Sequence, residues 1–383
     1  MQRAISTCLM RGGSSKGVFL RASDLPPAGE LRDSVILRLF GSPDPRQIDG
    51  LGGADVLTSK LAIVGPPSVA GADVDYTFGQ VSFINAMIDY KGNCGNISAA
   101  VGPFTIDEGL VQLAPFNGAE TWTQCVRIHN TNTGAILRAT IPVGIHGARV
   151  HGATTVGGVP GTGARIDLDF SDTQGSVTGR LLPTGHLYET VEVAGEGEEP
   201  EHVQVTLLDA GQPTVFVTAS SLGMPVEIRA DEIAGILERS PSLMRRVERL
   251  RGACAVLMGI VESWEDAERV SPYTPFVAIL SPASDSRCDI TSTVVFMQSV
   301  HKAYPVTGAV ATVAAALLPG TLAHSVLSKG SCTGPLRIAH PTGVMEMEGL
   351  VEEEKLVKAS ITRTARRLMD GNAYVPWSTW PVE

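Results

Sequence analysis

Apolar residues along this chain recur mostly at every second position, the spacing of strands with one buried face. Strands are predicted at Ala4–Met10, Gly17–Arg21, Leu61–Val64, Val74–Phe83, Ala86–Tyr90, Thr123–Ile128 and Ala135–Val143. In the second half they are predicted at His202–Leu208, Thr214–Thr218 and Phe276–Leu280. Two more, Lys355–Arg363 and Ala373–Val375, flank Arg366-Arg367-Leu368. The helical period is rarer. Leu31, Val35 and Leu39, with Ile36 and Phe40 beside them, mark a helix over Glu30–Phe40 that Gly41 and Pro43 stop. Ala230–Leu250 carries two helical segments broken at Ser240-Pro241.

Two stretches obey neither period. Ile97–Ile106 and Gly308–Leu318 are small and apolar nearly all round, which predicts helices buried on every side. Pro103 is expected to kink or shorten the first. Each is opened by a residue–glycine pair, Cys94-Gly95 and Thr307-Gly308. Many strands and one engulfed helix per half predict an α+β fold of two pseudo-symmetric domains, each a curved β-sheet or barrel around a central helix. The Gly-, Pro-, Thr- and Asp-rich run 157–186 is the expected crossover, and Gly195–Pro200 an acidic surface loop. The expected division is 1–183 with the Cys94 helix plus a returning C-terminal strand, 372–383, against 184–371 with the helix 308–318.

Composition narrows the partners. A chain of 383 residues is long enough for two cores. Its net charge of −10, with no basic run beyond Arg245-Arg246 and Arg366-Arg367, argues against nucleic acid. The 41 glycines and 5% aromatic content suit many turns and close backbone approaches. Cysteines at 8, 94, 125, 254, 288 and 332 show no CxxC spacing. No signal region and no apolar stretch of 18 residues is seen. The expectation is a reduced, cytoplasmic protein with no membrane partner; homo-oligomerisation is left open. The histidines, aspartates and glutamates show no metal-ligand spacing, which argues against a metal, and no GxGxxG follows a strand, which argues against a Rossmann cofactor.

The candidate chemistry centres on Lys91-Gly92-Asn93-Cys94-Gly95-Asn96. A cysteine at a helix N-terminus favours thiolate over thiol, and the unspent N–H groups of Gly95 and Asn96 suit a carboxylate. Ser15 and the helix end at Gly308 are further candidate donors. The loop Arg11-Gly12-Gly13-Ser14-Ser15-Lys16-Gly17 reads equally as a carboxylate grip or a plain hairpin turn. Lys60 stands at a loop-to-strand junction, a place for a functional amine or an ordinary surface lysine. His301 and His340 either contact substrate or are buried and hydrogen-bonded. His129-Asn130-Thr131-Asn132-Thr133-Gly134 reads as a polar turn.

Several of these motifs occur together in one family. Arg11–Gly17, Gly41-Ser42-Pro43-Asp44, Arg46-Gln47-Ile48-Asp49-Gly50, Leu57-Thr58-Ser59-Lys60 and Asn93-Cys94-Gly95-Asn96 resemble the PrpF family. So do His129–Gly134, Leu182-Pro183-Thr184-Gly185, His301-Lys302, Pro319-Gly320-Thr321 and His340-Pro341-Thr342-Gly343. The resemblance implies a diaminopimelate-epimerase-like fold. It also implies cofactor-independent proton chemistry on small unsaturated di- or tricarboxylates of the methylitaconate, aconitate, methylaconitate or oxalomesaconate type. Lys60 and Cys94 correspond to the family's catalytic pair. The matching motifs add Ser59, Asn93, Thr307, Thr342 and Gly343 to Ser15, Gly95, Asn96, Gly308 and His301 as expected substrate-binding residues. Thr307 stands where the fold's epimerases carry a second cysteine, and Ser14 where relatives often carry threonine. The expected reaction is a 1,3-allylic proton shift that moves a C=C bond. The rivals are a racemase or epimerase acting at one carbon and a carboxylate-binding protein without turnover.

Overall fold

The computed structural model describes residues 1–115, 118–120, 122–193, 199–327 and 334–381. Cys332 and residues 195–198 of the expected acidic loop lie outside them. The chain divides into two compact units, Met1–Leu168 with Thr362–Glu383, and Asp169–Ile361. The expected boundaries at 183/184 and 371/372 differ from these. The reason lies in Asp209, whose carboxylate accepts from the Val177 and Thr178 N–H groups at 2.9 and 2.6 Å. Gln174 Oε1 likewise accepts from Leu356 N at 2.7 Å, so the segment after 168 is knitted to the second unit.

In the first unit the strands run in the order Ala365–Pro376, Gln2–Gly12, Ser15–Arg21, Lys60–Gly65, Val74–Val81, Trp122–Asn130, Ile136–Gly144. Successive pairings are antiparallel, antiparallel, parallel, antiparallel, parallel and antiparallel. The sheet curls about the helix Gly95–Asp107, which touches six of these strands and is buried from Gly95 to Ile106. That helix runs through Pro103 to Asp107, so the proline does not shorten it. The helix Glu30–Phe40 packs Val35, Ile36, Leu39 and Phe40 against the sheet's other face. It ends at Gly41, whose φ of 74° is the left-handed C-cap that glycine adopts freely.

The second unit repeats the pattern. Its order is Glu189–Val193, Glu201–Ala210, Gln212–Thr218, Phe276–Pro282, Ile290–Phe296, Leu336–His340, Gly343–Glu352. The same six pairings follow in the same sequence. Here the engulfed helix is Val306–Leu317, buried from Val306 to Ala316. It begins two residues earlier than expected because Pro305 serves as its N-cap. Ala230–Arg239 and Pro241–Leu257 cover the outer face, with Ser240 Oγ capping the second at Leu243 N. No helix among the described residues is long and apolar enough to cross a membrane.

Some elements differ from their sequence pattern. The strand expected over Ala86–Tyr90 is only Ile88–Asp89. Arg11–Gly17 is a tight hairpin: Gly12 pairs with Ser15, leaving Gly13-Ser14 as the turn. Arg366-Arg367-Leu368 does not interrupt the last strand, which runs from Ala365 to Pro376 and pairs with Gln2–Gly12.

Candidate functional site

Lys60 opens the strand Lys60–Gly65 and is 2% exposed. Its register partner on the next strand is Gln80, also buried, whose Oε1 accepts from Lys60 Nζ at 2.8 Å. Gln80 is held in turn by its Nε2 donating to Ser59 O at 3.1 Å. The Ser59 hydroxyl is committed to Gln47 Oε1 at 2.6 Å. Gln80 was absent from the expected set. The alternation Tyr76, Phe78, Gln80, all buried, puts a polar residue at an inward position, and that phase was the readable signal.

Cys94 is the N-cap of the helix Gly95–Asp107, with φ −112° and ψ 99°. Its thiol lies within hydrogen-bonding reach of the Lys60 amine. Burial pulls the Lys60 amine below the ordinary lysine range, opposed by Cys94 and by the charge of Asp55. Burial pushes the Tyr76 phenol, beside Cys94 and Ser98, well above its usual value. Asn93 Oδ1 accepts from Ser98 Oγ at 3.2 Å, and Cys94 O accepts from Ser98 N at 2.9 Å, fixing the turn into the helix. The first helical N–H groups, beginning with Gly95 and Asn96, have no intrahelical acceptor. All of this lies within the first unit.

The glycine hairpin packs on the same helix end. A Cβ on Gly12 would sit 2.3 Å from Asn96 O; one on Gly13, whose φ is 50°, would sit 2.1 Å from Asn96 Oδ1. Asn96 Nδ2 donates to Ser14 Oγ at 3.3 Å. Ser15 is 1% exposed, and its hydroxyl has no partner among the described residues.

The remaining expected residues belong to the second unit. Thr307 and Gly308 are the second and third residues of Val306–Leu317 and are buried. His301 is 2% exposed with its ring 5.5 Å from that of Phe296. Thr342 and Gly343 form the hairpin after His340, with Thr342 N and Oγ1 each 3.4 Å from His340 Nδ1. Tyr304 OH bonds Ser292 Oγ at 2.7 Å and Thr312 Oγ1 at 2.9 Å behind them. The segment His129–Gly134 is bound up in its own turn. Asn130 Oδ1 accepts from Thr133 N at 3.1 Å, and Asn132 Nδ2 donates to Phe78 O and Tyr90 O at 2.8 and 2.7 Å.

Comparison with known proteins places the chain among relatives. The PrpF protein family model matches residues 2–376. A 3-methylitaconate isomerase of Eubacterium barkeri is 42% identical over 98% of both chains. A 4-oxalomesaconate tautomerase of Pseudomonas putida is 37% identical, covering 99% of this chain and 98% of the relative. A crystal structure of methylitaconate-delta-isomerase superposes with a TM-score of 0.76 at 42% identity, covering 99% of this chain and 97% of that one. A hydroxyproline epimerase from Agrobacterium vitis superposes at 0.55 over 99% and 98% of the two chains, at 12% identity; it shares the fold.

Proposed function

The chain belongs to the PrpF family and is an isomerase of small unsaturated carboxylates; from that premise we propose that it moves a C=C bond by a 1,3-allylic proton shift, with Lys60 and Cys94 handling the proton. The observation that carries this reading is the contact between the buried Lys60 amine and the Cys94 thiol at the start of an engulfed helix.

A C–H allylic to a C=C and adjacent to a carboxylate is a weak acid. Removing its proton leaves a dienolate whose charge spreads onto the carboxylate. Donors already aimed at that charge lower the barrier. Gly95 N–H, Asn96 N–H and the Ser15 hydroxyl suit that task in the first unit. One proton leaves one carbon and one returns two carbons away, so no oxidant or second substrate is needed. A base acts best when its pKa lies near the working pH. Burial moves Lys60 in that direction, toward the neutral amine that can accept a proton. Gln80 Oε1 then holds the amine in place. Substrates of the methylitaconate and oxalomesaconate type fit the relatives' names. A one-carbon epimerase working with two thiols lacks its second thiol, since Thr307 stands at the start of the second engulfed helix.

The test is incubation with a panel of unsaturated di- and tricarboxylates in D₂O, followed by NMR. Double-bond migration with deuterium entry is expected for at least one acid. Exchange at one carbon without migration identifies an epimerase, and binding without exchange a carboxylate sensor. Lys60→Met and Cys94→Ser are each expected to lose turnover by at least ~10³-fold with the fold retained, as for removal of a group that moves the proton. Wild-type rates in either would remove that residue from the mechanism.

A further inference from the structure

We infer that Arg363 is a carboxylate anchor of this site: its guanidinium, buried against Asn96 at the start of the Cys94 helix, takes one carboxylate of the substrate. The inference rests on the isomerase reading above and names a binding residue that reading does not contain.

Arg363 ends the strand Lys355–Arg363 and is 5% exposed. Its Nε donates to Asn96 Oδ1 at 3.2 Å and its Nη1 to Thr362 O at 2.9 Å. Its Nη2 is buried with no acceptor, and no carboxylate pairs with it among the described residues. Burial alone pulls its pKa down to about 9. A buried guanidinium without a counter-charge is costly, and it persists where a ligand supplies the missing anion. Arg251 shows the contrast within the same chain. It is equally hidden, but Glu248 takes its Nε and the Ser271 and Thr274 carbonyls take its Nη1, so its donors are spent on the fold.

The surroundings of Arg363 suit an anion. Asn96 is the second residue of the engulfed helix, two positions after Cys94, where the helix dipole favours negative charge. The Asn96 side chain is clamped from both ends, by Arg363 Nε on its oxygen and by Ser14 Oγ on its nitrogen. Ser15 Oγ, the next hydroxyl along the hairpin, is the second buried polar atom here without a partner. The Arg363 side chain borders that hairpin too, its Cδ lying 3.2 Å from where a Gly13 Cβ would be. An Arg fork matches a carboxylate's two oxygens.

The experiment compares Arg363→Met and Arg363→Lys with the wild type, using the acid turned over in the D₂O panel and its monomethyl esters. Losing a charge-assisted contact is expected to raise KM about 100-fold in Arg363→Met. Arg363→Lys should fall between, keeping the charge without the fork. One ester should cost the wild type a similar factor and cost Arg363→Met nothing further, the signature of a shared contact. Unchanged KM in Arg363→Met, or an ester penalty equal in both proteins, overturns the anchor while leaving the isomerase intact. If no acid turns over, the isomerase reading fails by itself. The anchor is then judged by thermal shift with mesaconate, which should stabilise the wild type and not the variant; equal shifts overturn it. Should Arg363→Met not fold, a wild-type crystal with mesaconate decides. A carboxylate oxygen within ~3 Å of Nη2 supports the anchor, and one bound elsewhere overturns it.

Discussion

Lys60 is the residue whose surroundings make the sharpest demands. Its amine loses hydration on folding, so its folded pKa lies below the unfolded value of about 10.5. Between those two values the unfolded chain binds more protons than the folded one. Stability contributed at this site therefore rises with pH across that window and is flat below it. The difference in unfolding free energy between wild type and Lys60→Met should climb by up to ~1.4 kcal/mol per pH unit there. Denaturant titrations at stepped pH measure it, and parallel curves would show that Lys60 is not desolvated. Gln80→Leu removes the acceptor that favours the ammonium form. Its rate–pH profile should rise at lower pH than the wild type's by ~1 unit, with kcat down ~10-fold or more. A profile that stays in place would confine Gln80 to packing. Lys60 and Cys94 were readable from their motifs, but neither Gln80 nor Arg363 was. Arg363 meets Asn96 across 267 positions, a pairing no local pattern encodes. Its phase was visible all the same: Ala359, Ile361 and Arg363 share the inward side of one strand.

Elements held where short-range signals agreed with the sheet. Glu30–Phe40 and Lys355–Arg363 have the bounds their periodicity predicts. The glycines, hydroxyls and cations of Arg11–Gly17 suit a carboxylate grip as well as a plain hairpin turn, and its pairing shows a tight hairpin between Gly12 and Ser15. The hairpin also packs on the start of a helix distant in sequence, a contact no nearby residue specifies. The contact is also fragile. Gly12→Ala would push a methyl into Asn96 O, a backbone atom, and is expected to cost several kcal/mol, as overpacking against a rigid neighbour does. Chemical denaturation measures it, and a cost below ~0.5 kcal/mol would mean that the helix end yields. On the outer face of the second unit, Ser240→Ala should cost ~1 kcal/mol through its lost cap at Leu243 N.

At the scale of the whole chain, the same six strand pairings occur twice, each set wrapped on one helix of small residues. The units differ in where their edge strand comes from. In the second it is Glu189–Val193, which precedes the other six strands of its set; in the first it is Ala365–Pro376, which follows all the others. Deleting residues 365–383 would strip Gln2–Gly12 of the ladder partner on its outer side, leaving only its pairing with Ser15–Arg21. Amide exchange should then quicken throughout Met1–Leu168 and stay slow in Asp169–Ile361. Uniform protection in the truncated chain would count against two separately cooperative units.

That placement reverses the customary order of assembly at the ribosome. Units usually fold as they emerge, the first-made first. Here the first-made unit must wait with an open border until translation has passed residue 376, by which time every residue of the second has been joined. During that interval Gln2–Gly12 presents unpaired N–H and C=O groups to whatever strand comes near, a natural client for holding chaperones and a natural place for nascent chains to mispair.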